Sequence, residues 1–553
     1  MSDAVYDYPV RPATRTRARR RVLVLAAAVL LLLGGGATWI VTYVKDRSSQ
    51  CDGTPGRTGE GYDLTRQDGD GQCTGWLTSL DYAFGSTDPA AAGVIHKIVA
   101  ENQRVAQQSV PYVRVAVMMP MTAQPDSKLS AGPIVHALEG AYTAQTYTNS
   151  ETTPYGEAKP QIQLVLANIG RDQNQWPEVV EGLGSLTTGE HPLVAVTGMG
   201  VSVPQTRDAA KRLNSAWHLP TIGSVLTADD MTTREIGSED KPGLFKVSPS
   251  NHAYVTALQK ALGPVGKGYL VRDRNPDDYV ETLGDDFVDV FAPLKLNDHL
   301  SWFNGSTGSS TGSTGLFEDA VNAIGIGDPD VVFYAGRDAD LPGLVRSLKF
   351  RQGDGASRQL VLAVGVTGLV VVPTDQPGAD GAPLTTRDLL DARVTVLAAS
   401  STDPDGWAQG VATPEQYPAF RTRFTTGSAA FPSADLADGY AIMQFDAVAA
   451  AITAIHSVYV RNSAHVQKPA LPTAADVRDK LTSYRDTPIR GATGTFYWTE
   501  QQPPNDLWPI GHPVPVLRFP ASGSRGPAYT TECQRLDDPL NRAAYKVKPC
   551  ATN

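Results

Sequence analysis

The chain has 553 residues, which is too long for one compact hydrophobic core, so we expect two or three structural units. Its formal net charge is −10, but residues 1–47 carry +5, so the remainder, −10 less +5, carries −15. Such an acidic body would repel a polyanion, which argues against nucleic acid as a partner.

The basic N-terminal region encloses an uncharged apolar segment. Val22–Val44 carries no charged residue and directly follows Arg19–Arg21. About twenty apolar residues cross the hydrocarbon core of a bilayer, and flanking arginines stay on the cytoplasmic side. The sequence therefore predicts a cytoplasmic arm at 1–21, a single transmembrane helix at 22–44 and a large extracellular part. A signal peptide cleaved near Gly35–Ala37 is the alternative, but the apolar run continues past that point, which favours an uncleaved anchor.

Four cysteines lie in the predicted extracellular part: Cys51, Cys73, Cys533 and Cys550. An even number in such a region indicates disulfides formed in an oxidising compartment. Of the three possible connectivities we favour the local one, Cys51–Cys73 and Cys533–Cys550, in which each bridge contributes roughly 3 kcal/mol on the chain-entropy description. A zinc site is the rival interpretation, but the sequence has no C-x-x-C or close Cys/His spacing to support it.

The extracellular part begins with a Gly-, Asp- and Thr-rich stretch at 48–75, typical of a loop, and a helical spacing of apolar residues at 91–108. Apolar runs then alternate with helical stretches. The predicted strands of this first block are Val113–Met119, Ile162–Ala167, Leu193–Thr197, Thr221–Ser224 and Leu244–Val247, and its predicted helices are Ile134–Thr148, Trp176–Leu186 and Val203–Trp217.

A second block repeats the alternation. Its predicted strands are Tyr269–Arg272, Val331–Ala335 and Leu360–Val364, and its predicted helices are Tyr254–Leu262, Tyr279–Phe291 and Asp340–Phe350. Strands that alternate with helices form parallel sheets covered on both faces. The sequence therefore predicts an α/β protein with two doubly wound parallel-sheet lobes.

The sequence gives little sign of catalytic chemistry. Residues 304–315 form a Gly/Ser/Thr repeat that predicts a flexible insertion. Within it, Gly308–Gly312 matches the G-x-S-x-G pattern of a hydrolase nucleophile turn, but such repeats produce this match by chance. The nine histidines show no metal-ligand spacing, and no Ser–His–Asp set or carboxylate pair can be placed. We therefore predict a binding protein with no catalytic residues, no metal and no cofactor.

The stretch VAVTGMGVSVPQT at 194–206 ends an apolar run in a turn of small residues. Val203 stands where a dinucleotide-binding fingerprint needs its third glycine. The stretch instead resembles the G-P-x-x-S turn of type I periplasmic binding proteins, of the branched-chain amino-acid-binding kind. Other segments of the chain resemble the motifs of that family in the same order: Val115–Pro120, Gly140–Ala141, Leu244–Ser250, Asp330–Gly336, Tyr440–Ala447 and Gly491–Phe496.

The resemblance covers about residues 111–520 and implies two hinged lobes that hold a small solute where the carboxyl ends of their strands face a cleft. The units expected after the membrane helix are a disulfide-clasped loop and helix at 45–110, a first lobe at 111–247 with 400–485, a second lobe at 248–399 with 486–520, and a disulfide-clasped tail at 521–553.

The resemblance also implies which residues contact the ligand: Ser202, Ser224 and Thr227 from the first lobe, and Tyr279 and Arg337 from the second. Hydroxyls and helix N-termini at such strand ends donate hydrogen bonds to a carboxylate.

Each of these side chains also has a purely structural interpretation. Ser202 and Thr227 could cap the helices that follow them. Tyr279 could be an aromatic side chain at the rim. Arg337 could pair with an acid that follows it, Asp338 or Asp340, and Asp446 is expected to have a structural role on a packed helix.

One departure from the family bears on the ligand. Members that bind amino acids place an acid after the strand corresponding to Leu360–Val364, but Gly365–Gly368 carries none. Arg337 favours an anionic or polar ligand instead. We expect a membrane-anchored extracellular solute-binding protein for a small polar molecule, an amino acid or a related compound, that serves an ABC permease or a membrane signalling partner. The alternative is a ligand-free interaction module of the same fold that works with membrane partners.

Overall fold

In the computed structural model of the protein, the described residues are 51, 58–59, 61–66, 72–124, 127–150, 160–233, 235–237, 241–305, 314–379, 382–463, 470–483, 488–501, 506–521, 528–536 and 550. The predicted cytoplasmic arm (1–21) and transmembrane helix (22–44) lie outside the described residues, as do residues 306–313 of the predicted insertion.

Eight strands form the sheet of the first lobe: β1 (Thr58–Gly59), β2 (Tyr62–Arg66), β3 (Cys73–Leu77), β4 (Tyr112–Met119), β5 (Gln161–Asn168), β6 (Leu193–Gly198), β7 (Thr221–Gly223) and β8 (Leu244–Lys246). Their order is β1-β2-β3-β5-β4-β6-β7-β8. β4 to β8 are parallel, whereas β1 to β3 run antiparallel along one edge. The prediction of a loop at 48–75 is therefore wrong for β1 to β3, because Leu64 and Leu77 are buried and draw this segment onto the sheet.

Helices cover both faces of this sheet: α1 (Pro89–Ala106), α2 (Ala131–Asn149), α3 (Trp176–Ser185) and α4 (Pro204–Trp217). α1 begins at Asp88, whose side chain accepts a hydrogen bond from the N–H of Ala90, and Pro89 fits the first turn because no donor is needed there. α1 and α2 pack on one face and α3 and α4 on the other. All eight residues of β5 are buried, as expected for a strand between two helical layers.

The second lobe repeats this design. Its strands are β9 (Gly268–Asp273), β10 (Leu300–Phe303), β11 (Val331–Ala335), β12 (Leu360–Val366) and β15 (Val394–Ser400), with a separate short pair, β13 (Val371–Val372) and β14 (Leu384–Thr385). Its helices are α5 (Asn251–Leu262), α6 (Asp278–Val290), α7 (Glu318–Gly327), α8 (Leu341–Leu348) and α9 (Thr386–Ala392). α5 and α6 pack on one face of the sheet, and α7, α8 and α9 pack on the other.

After β15 the chain returns to the first lobe. The elements there are α10 (Pro404–Ala408), α11 (Tyr417–Thr425), α12 (Tyr440–Ser463), α13 (Ala474–Thr482) and a small antiparallel sheet of β16 (Ile489–Gly491), β17 (Gly494–Gln501) and β18 (Asp506–Ile510). Two final strands, β19 (Pro513–Phe519) and β20 (Thr530–Leu536), extend the second sheet to the order β10-β9-β11-β12-β15-β19-β20. The prediction of two doubly wound α/β lobes is confirmed.

The lobe boundaries differ from the prediction near the C-terminus. Residues 486–520 were expected in the second lobe, but Phe496 and Trp498 are buried in the core of the first. Only the part from Pro513 onward joins the second sheet. Within the described residues the chain thus crosses between the lobes three times, after β8, after β15 and before β19. The predicted tail at 521–553 is not separate, because β20 pairs along β19.

Among the described residues, one helix is long and apolar enough to cross a membrane, and it is α12, over Tyr440–Asn462. Its apolar stretch is 89% buried inside the protein. Phe445, Val448 and Ile452 on this helix belong to the core of the first lobe. α12 is therefore the central core helix of the lobe.

Both disulfides have the predicted local connectivity. Cys51 is bonded to Cys73, and Cys533 is bonded to Cys550. The first bridge holds the N-terminal end of the described chain against β3, and the second holds the C-terminal end against β20. Each of these strands is thereby tied to a nearby segment of the chain.

Candidate ligand-binding cleft

The turn after β6 brings Ser202 to the carboxyl edge of the first sheet. Gly198 and Gly200 have positive φ values of +88° and +70°. A Cβ atom on Gly200 would lie 1.7 Å from Oε1 of Gln173, the atom that accepts a hydrogen bond from the N–H of Val201. The small residues of the turn are therefore required by its backbone conformation and its close contact with Gln173.

A small cavity lies between the lobes at this edge. Its first-lobe wall consists of Val201, Ser202, Val225, Thr227 and Tyr440, and its second-lobe wall of Tyr279, Arg337, Asp338, Val366, Thr367 and Gly368. The space open to the centres of water molecules is about 30 Å³, room for about two waters. This space is too small for an amino acid in the arrangement of the lobes described here.

Ser202 does not cap α4. The N-cap residue of that helix is Val203, which makes no side-chain capping bond. The Oγ of Ser202 instead accepts hydrogen bonds from the N–H groups of Thr227 (3.1 Å) and Ala228 (3.3 Å). A hydroxyl has two acceptor lone pairs and one proton. With both lone pairs used, the Ser202 hydroxyl is left as a donor at the cavity surface.

Thr227 lines the cavity, but Ser224 does not. Residues 228–233 form a turn and not a helix, so Thr227 caps nothing there. Its Oγ1 makes no hydrogen bond within the part of the chain that the structure describes. Ser224 faces the other way, because its hydroxyl donates to the carbonyl of Gly198 at 3.3 Å. Of the two serines predicted to contact the ligand, only Ser202 lines this cavity.

Tyr279 and Arg337 form the centre of the second-lobe wall. Arg337 donates to both carboxylate oxygens of Asp277, at 2.7 to 2.9 Å, and pairs with neither of the acids expected from the sequence. Its guanidinium lies 4.9 Å from the centre of the Tyr279 ring. The Tyr279 hydroxyl donates to the carbonyl of Gly365. Burial lowers the pKa of Arg337, but Asp277 more than offsets this, so the net pKa is raised.

Three further groups at the cleft were not predicted as site residues. Asp338 and Tyr440 both line the cavity. Asp338 is an exposed residue of this lining. Lys128, in the loop after β4, lies within electrostatic range of Asp277; burial lowers its pKa and Asp277 raises it. Asp338 and Tyr440 each had a sequence signal, since Asp338 follows Arg337 directly and Tyr440 begins the family-like segment Tyr440–Ala447.

The lobes also touch beside the cavity. Arg207 of α4 lies 3.0 Å from Asp278 of α6, and it lies 2.6 Å from Asp230 within its own lobe. Burial and the nearby Asp230 raise the pKa of Asp278 to about 6. This ion pair joins the two lobes in the arrangement described here.

The overall arrangement is similar to that of several solved structures. A leucine-binding protein from Thermotoga maritima has a TM-score of 0.49 at 16% identity, over 77% of this chain and 99% of that one. A substrate-binding protein of an ABC transporter from Desulfitobacterium hafniense, in complex with Leu, has a TM-score of 0.48 at 15% identity, over 76% and 99%. A solute-binding protein from R. palustris, in complex with 4-hydroxybenzoate, has a TM-score of 0.49 at 13% identity, over 77% and 98%.

These proteins are of the class that the sequence motifs resemble. No family model matches the sequence, and no curated protein gives a significant match. The two-lobed architecture therefore rests on the sheet topology of this chain, and its function must be inferred from the residues of its own cleft.

Proposed function

We propose that this protein is a solute-binding protein that captures a small polar molecule, an amino acid or a related compound, between its two lobes. The observation that supports this best is the composition of the cavity, with hydrogen-bond donors on the first-lobe wall and charged side chains on the second. The cavity lies where the carboxyl ends of both parallel sheets meet, the usual ligand position in open α/β sheets.

The first-lobe wall suits a carboxylate. The Ser202 hydroxyl can only donate, since both its lone pairs are used. The N–H groups of Ser202 and Val203 have no acceptor within the described residues, and they lie just before α4. Free N–H groups at a helix N-terminus attract anions. A ligand carboxylate placed here would accept three hydrogen bonds.

The second-lobe wall suits a group of mixed polarity. Asp277 neutralises Arg337, whose Nη1 has no partner among the described residues. Asp338 supplies a carboxylate to the cavity from the end of β11. It replaces, from the neighbouring strand, the acid that is missing after β12. A zwitterion with its carboxylate on the first wall and its ammonium on Asp338 would satisfy both walls.

We further propose an extracellular location with a membrane anchor. Two disulfides suit an oxidising compartment, and the predicted transmembrane helix at 22–44 would hold the N-terminal arm in the cytoplasm. The protein would pass its ligand to an ABC permease or report it to a membrane signalling partner.

The test is a ligand screen followed by two matched serine variants. Amino acids and small carboxylates are screened by thermal shift, and hits are titrated calorimetrically. Ser202→Ala should weaken binding about tenfold, because it removes a hydrogen bond to a charged group. Ser224→Ala, on the next strand's turn but outside the cavity, should leave the affinity unchanged. Equal effects of the two variants would contradict the proposed ligand position.

A third variant tests the ligand class. Asp338→Asn should weaken the binding of amino acids about tenfold or more and have little effect on carboxylates that lack an amine. The second candidate function, a ligand-free interaction module, is favoured by the small volume of the cavity. It predicts no thermal shift with any compound, and unchanged binding to membrane partners in Ser202→Ala.

A further inference from the structure

A second polar cluster lies on the first lobe, outside the cavity lining. His136 and Glu139 are one turn apart on α2, so they point to the same side of the helix. Asp435 and Asp438 lie in the turn that begins with the short 3₁₀ helix Ser433–Leu436 and leads into α12. Two segments about three hundred residues apart in the chain thus bring an imidazole and three carboxylates together.

The imidazole of His136 is oriented by one of these carboxylates. Its Nδ1 lies 2.6 Å from Oδ2 of Asp438, so Nδ1 carries the proton and donates it. In the neutral imidazole the lone pair is then on Nε2, which faces Oδ1 of Asp435 at 3.6 Å. This distance is too long for a hydrogen bond. It suits two ligands of one ion, since donors about 2.1 Å from a tetrahedral metal lie about 3.4 Å apart.

Glu139 supplies the third donor. Its side chain is deeply buried, with the residue only 5% exposed. Its Oε2 has no hydrogen-bond partner within the described residues. Three possible ligand atoms, one from each of His136, Glu139 and Asp435, all lie within 4.8 Å of one another. A buried carboxylate oxygen without a partner is costly, and a cation at the centre of this cluster would remove that cost.

We propose that Nε2 of His136 and the carboxylates of Glu139 and Asp435 bind a Zn²⁺ ion. Imidazole with two carboxylates is a donor set that suits zinc, whereas Mg²⁺ and Ca²⁺ prefer oxygen ligands alone. Asp438 holds the imidazole from behind, as carboxylates commonly do for metal-bound histidines. The ion would tie α2 to the turn that leads to Tyr440 on the first-lobe wall.

The proposal is tested by titrating the full chain, freed of metal with a chelator, with ZnCl₂ in a calorimeter. We expect one Zn²⁺ per chain and a rise in melting temperature, with no comparable effect of Mg²⁺ or Ca²⁺. Glu139→Gln and His136→Ala should each weaken Zn²⁺ binding at least tenfold, and Asp438→Asn about tenfold. Co²⁺ titrated in the same way should give the visible absorption bands of a tetrahedral site.

The matched control is His96→Ala. His96 makes the same kind of pair, Nδ1 to Oδ2 of Asp81 at 2.6 Å, but it is exposed. This variant should bind Zn²⁺ like the wild type. Circular dichroism checks the fold of each variant, and Glu139→Gln keeps the shape of the buried side chain if His136→Ala does not fold. The proposal is overturned if the wild type binds no Zn²⁺ at one per chain, or if Glu139→Gln binds it unchanged.

Discussion

Two buried carboxylates, one in each lobe, are satisfied by different means. In the first lobe, Asp446 of α12 accepts hydrogen bonds from the N–H of Ala492 and from the N–H and hydroxyl of Thr493. In the second, Asp277 at the start of α6 accepts two parallel bonds from Arg337. Neutral donors satisfy the geometry but bring no counter-charge, so burial raises the pKa of Asp446 to about 7 in spite of three donors. Asp446 and Asp277 should therefore respond differently to mutation and to pH.

The largest effect is expected from breaking the charged pair of the second lobe. The side chains of Arg337 and Asp277 are only 11% and 2% exposed. Arg337→Ala leaves a buried carboxylate without its cation, which should lower the free energy of unfolding by about 4 kcal/mol. Urea unfolding without added ligand measures this. The double variant Arg337→Ala with Asp277→Asn should recover at least half of the loss, and a loss below about 1 kcal/mol in the single variant would show that the pair is solvated.

The raised pKa of Asp446 should be visible in the pH dependence of the free energy of unfolding. Between about pH 4 and pH 7 the folded protein holds the Asp446 proton and the unfolded chain releases it. The contribution of Asp446 to stability therefore falls as pH rises, by about 3 kcal/mol between pH 4.5 and pH 7.5. Asp446→Asn should remove this part of the slope. Parallel stability curves for the two proteins, measured by urea unfolding at several pH values, would refute the raised pKa.

Glycine substitutions test the backbone that shapes the first-lobe wall. Gly200→Ala places a Cβ atom against Oε1 of Gln173 at a φ of +70°, so Gln173 must move and lose its bond to Val201. We expect a loss of about 2 kcal/mol. Gly189→Ala is the control, because Gly189 has a φ of +104° but no atom within 4 Å of its Cβ position. It should cost only the backbone strain, about 1 kcal/mol.

The smallest effect concerns the ion pair between the lobes. The Arg207 side chain is 22% exposed, so Arg207→Ala should change stability by less than about 1 kcal/mol. Because it removes a contact made only while the lobes touch, it should weaken ligand binding about threefold. Arg212→Ala is the control on the same helix, since Arg212 pairs with Glu181 inside the first lobe. Both variants are titrated calorimetrically with a ligand found in the screen. Arg207→Ala should weaken binding, whereas Arg212→Ala should leave the affinity unchanged.

Much of the fold was predictable because it depends on local patterns. Apolar runs such as Val113–Met119 and Ile162–Ala167 became β4 and β5, and the predicted helix at 91–108 became α1. The strands of the 48–75 region were not predicted, since they are short and lie among turn-forming residues. Their conformation depends on pairing with β5. The assignment of 486–512 to the wrong lobe has a similar cause, because only packing on α12 places β16 to β18.

The sequence predicted which residues lie at the candidate site better than it predicted their hydrogen-bond and ion-pair partners. Four of the five residues expected at the ligand, Ser202, Thr227, Tyr279 and Arg337, line one cavity. Ser224 does not line this cavity, because its hydroxyl donates a hydrogen bond to the carbonyl of Gly198 at the end of β6. The family motifs did not point to Asp338. In family members that bind amino acids, the acid follows the strand that corresponds to Leu360–Val364, whereas Asp338 follows β11. Contact of these residues with a ligand stays a prediction.

The sequence alone determined where strands and helices alternate, which turns need glycine and which strand ends carry hydroxyls, because these features depend on neighbours a few residues away. Only the tertiary structure decided which charges meet. Arg337 pairs with Asp277, sixty residues earlier, and His136 meets Asp438 from a segment three hundred residues later. Such pairs form where separate crossings of the chain bring strand ends and helix faces together, and no local pattern in the sequence records that meeting.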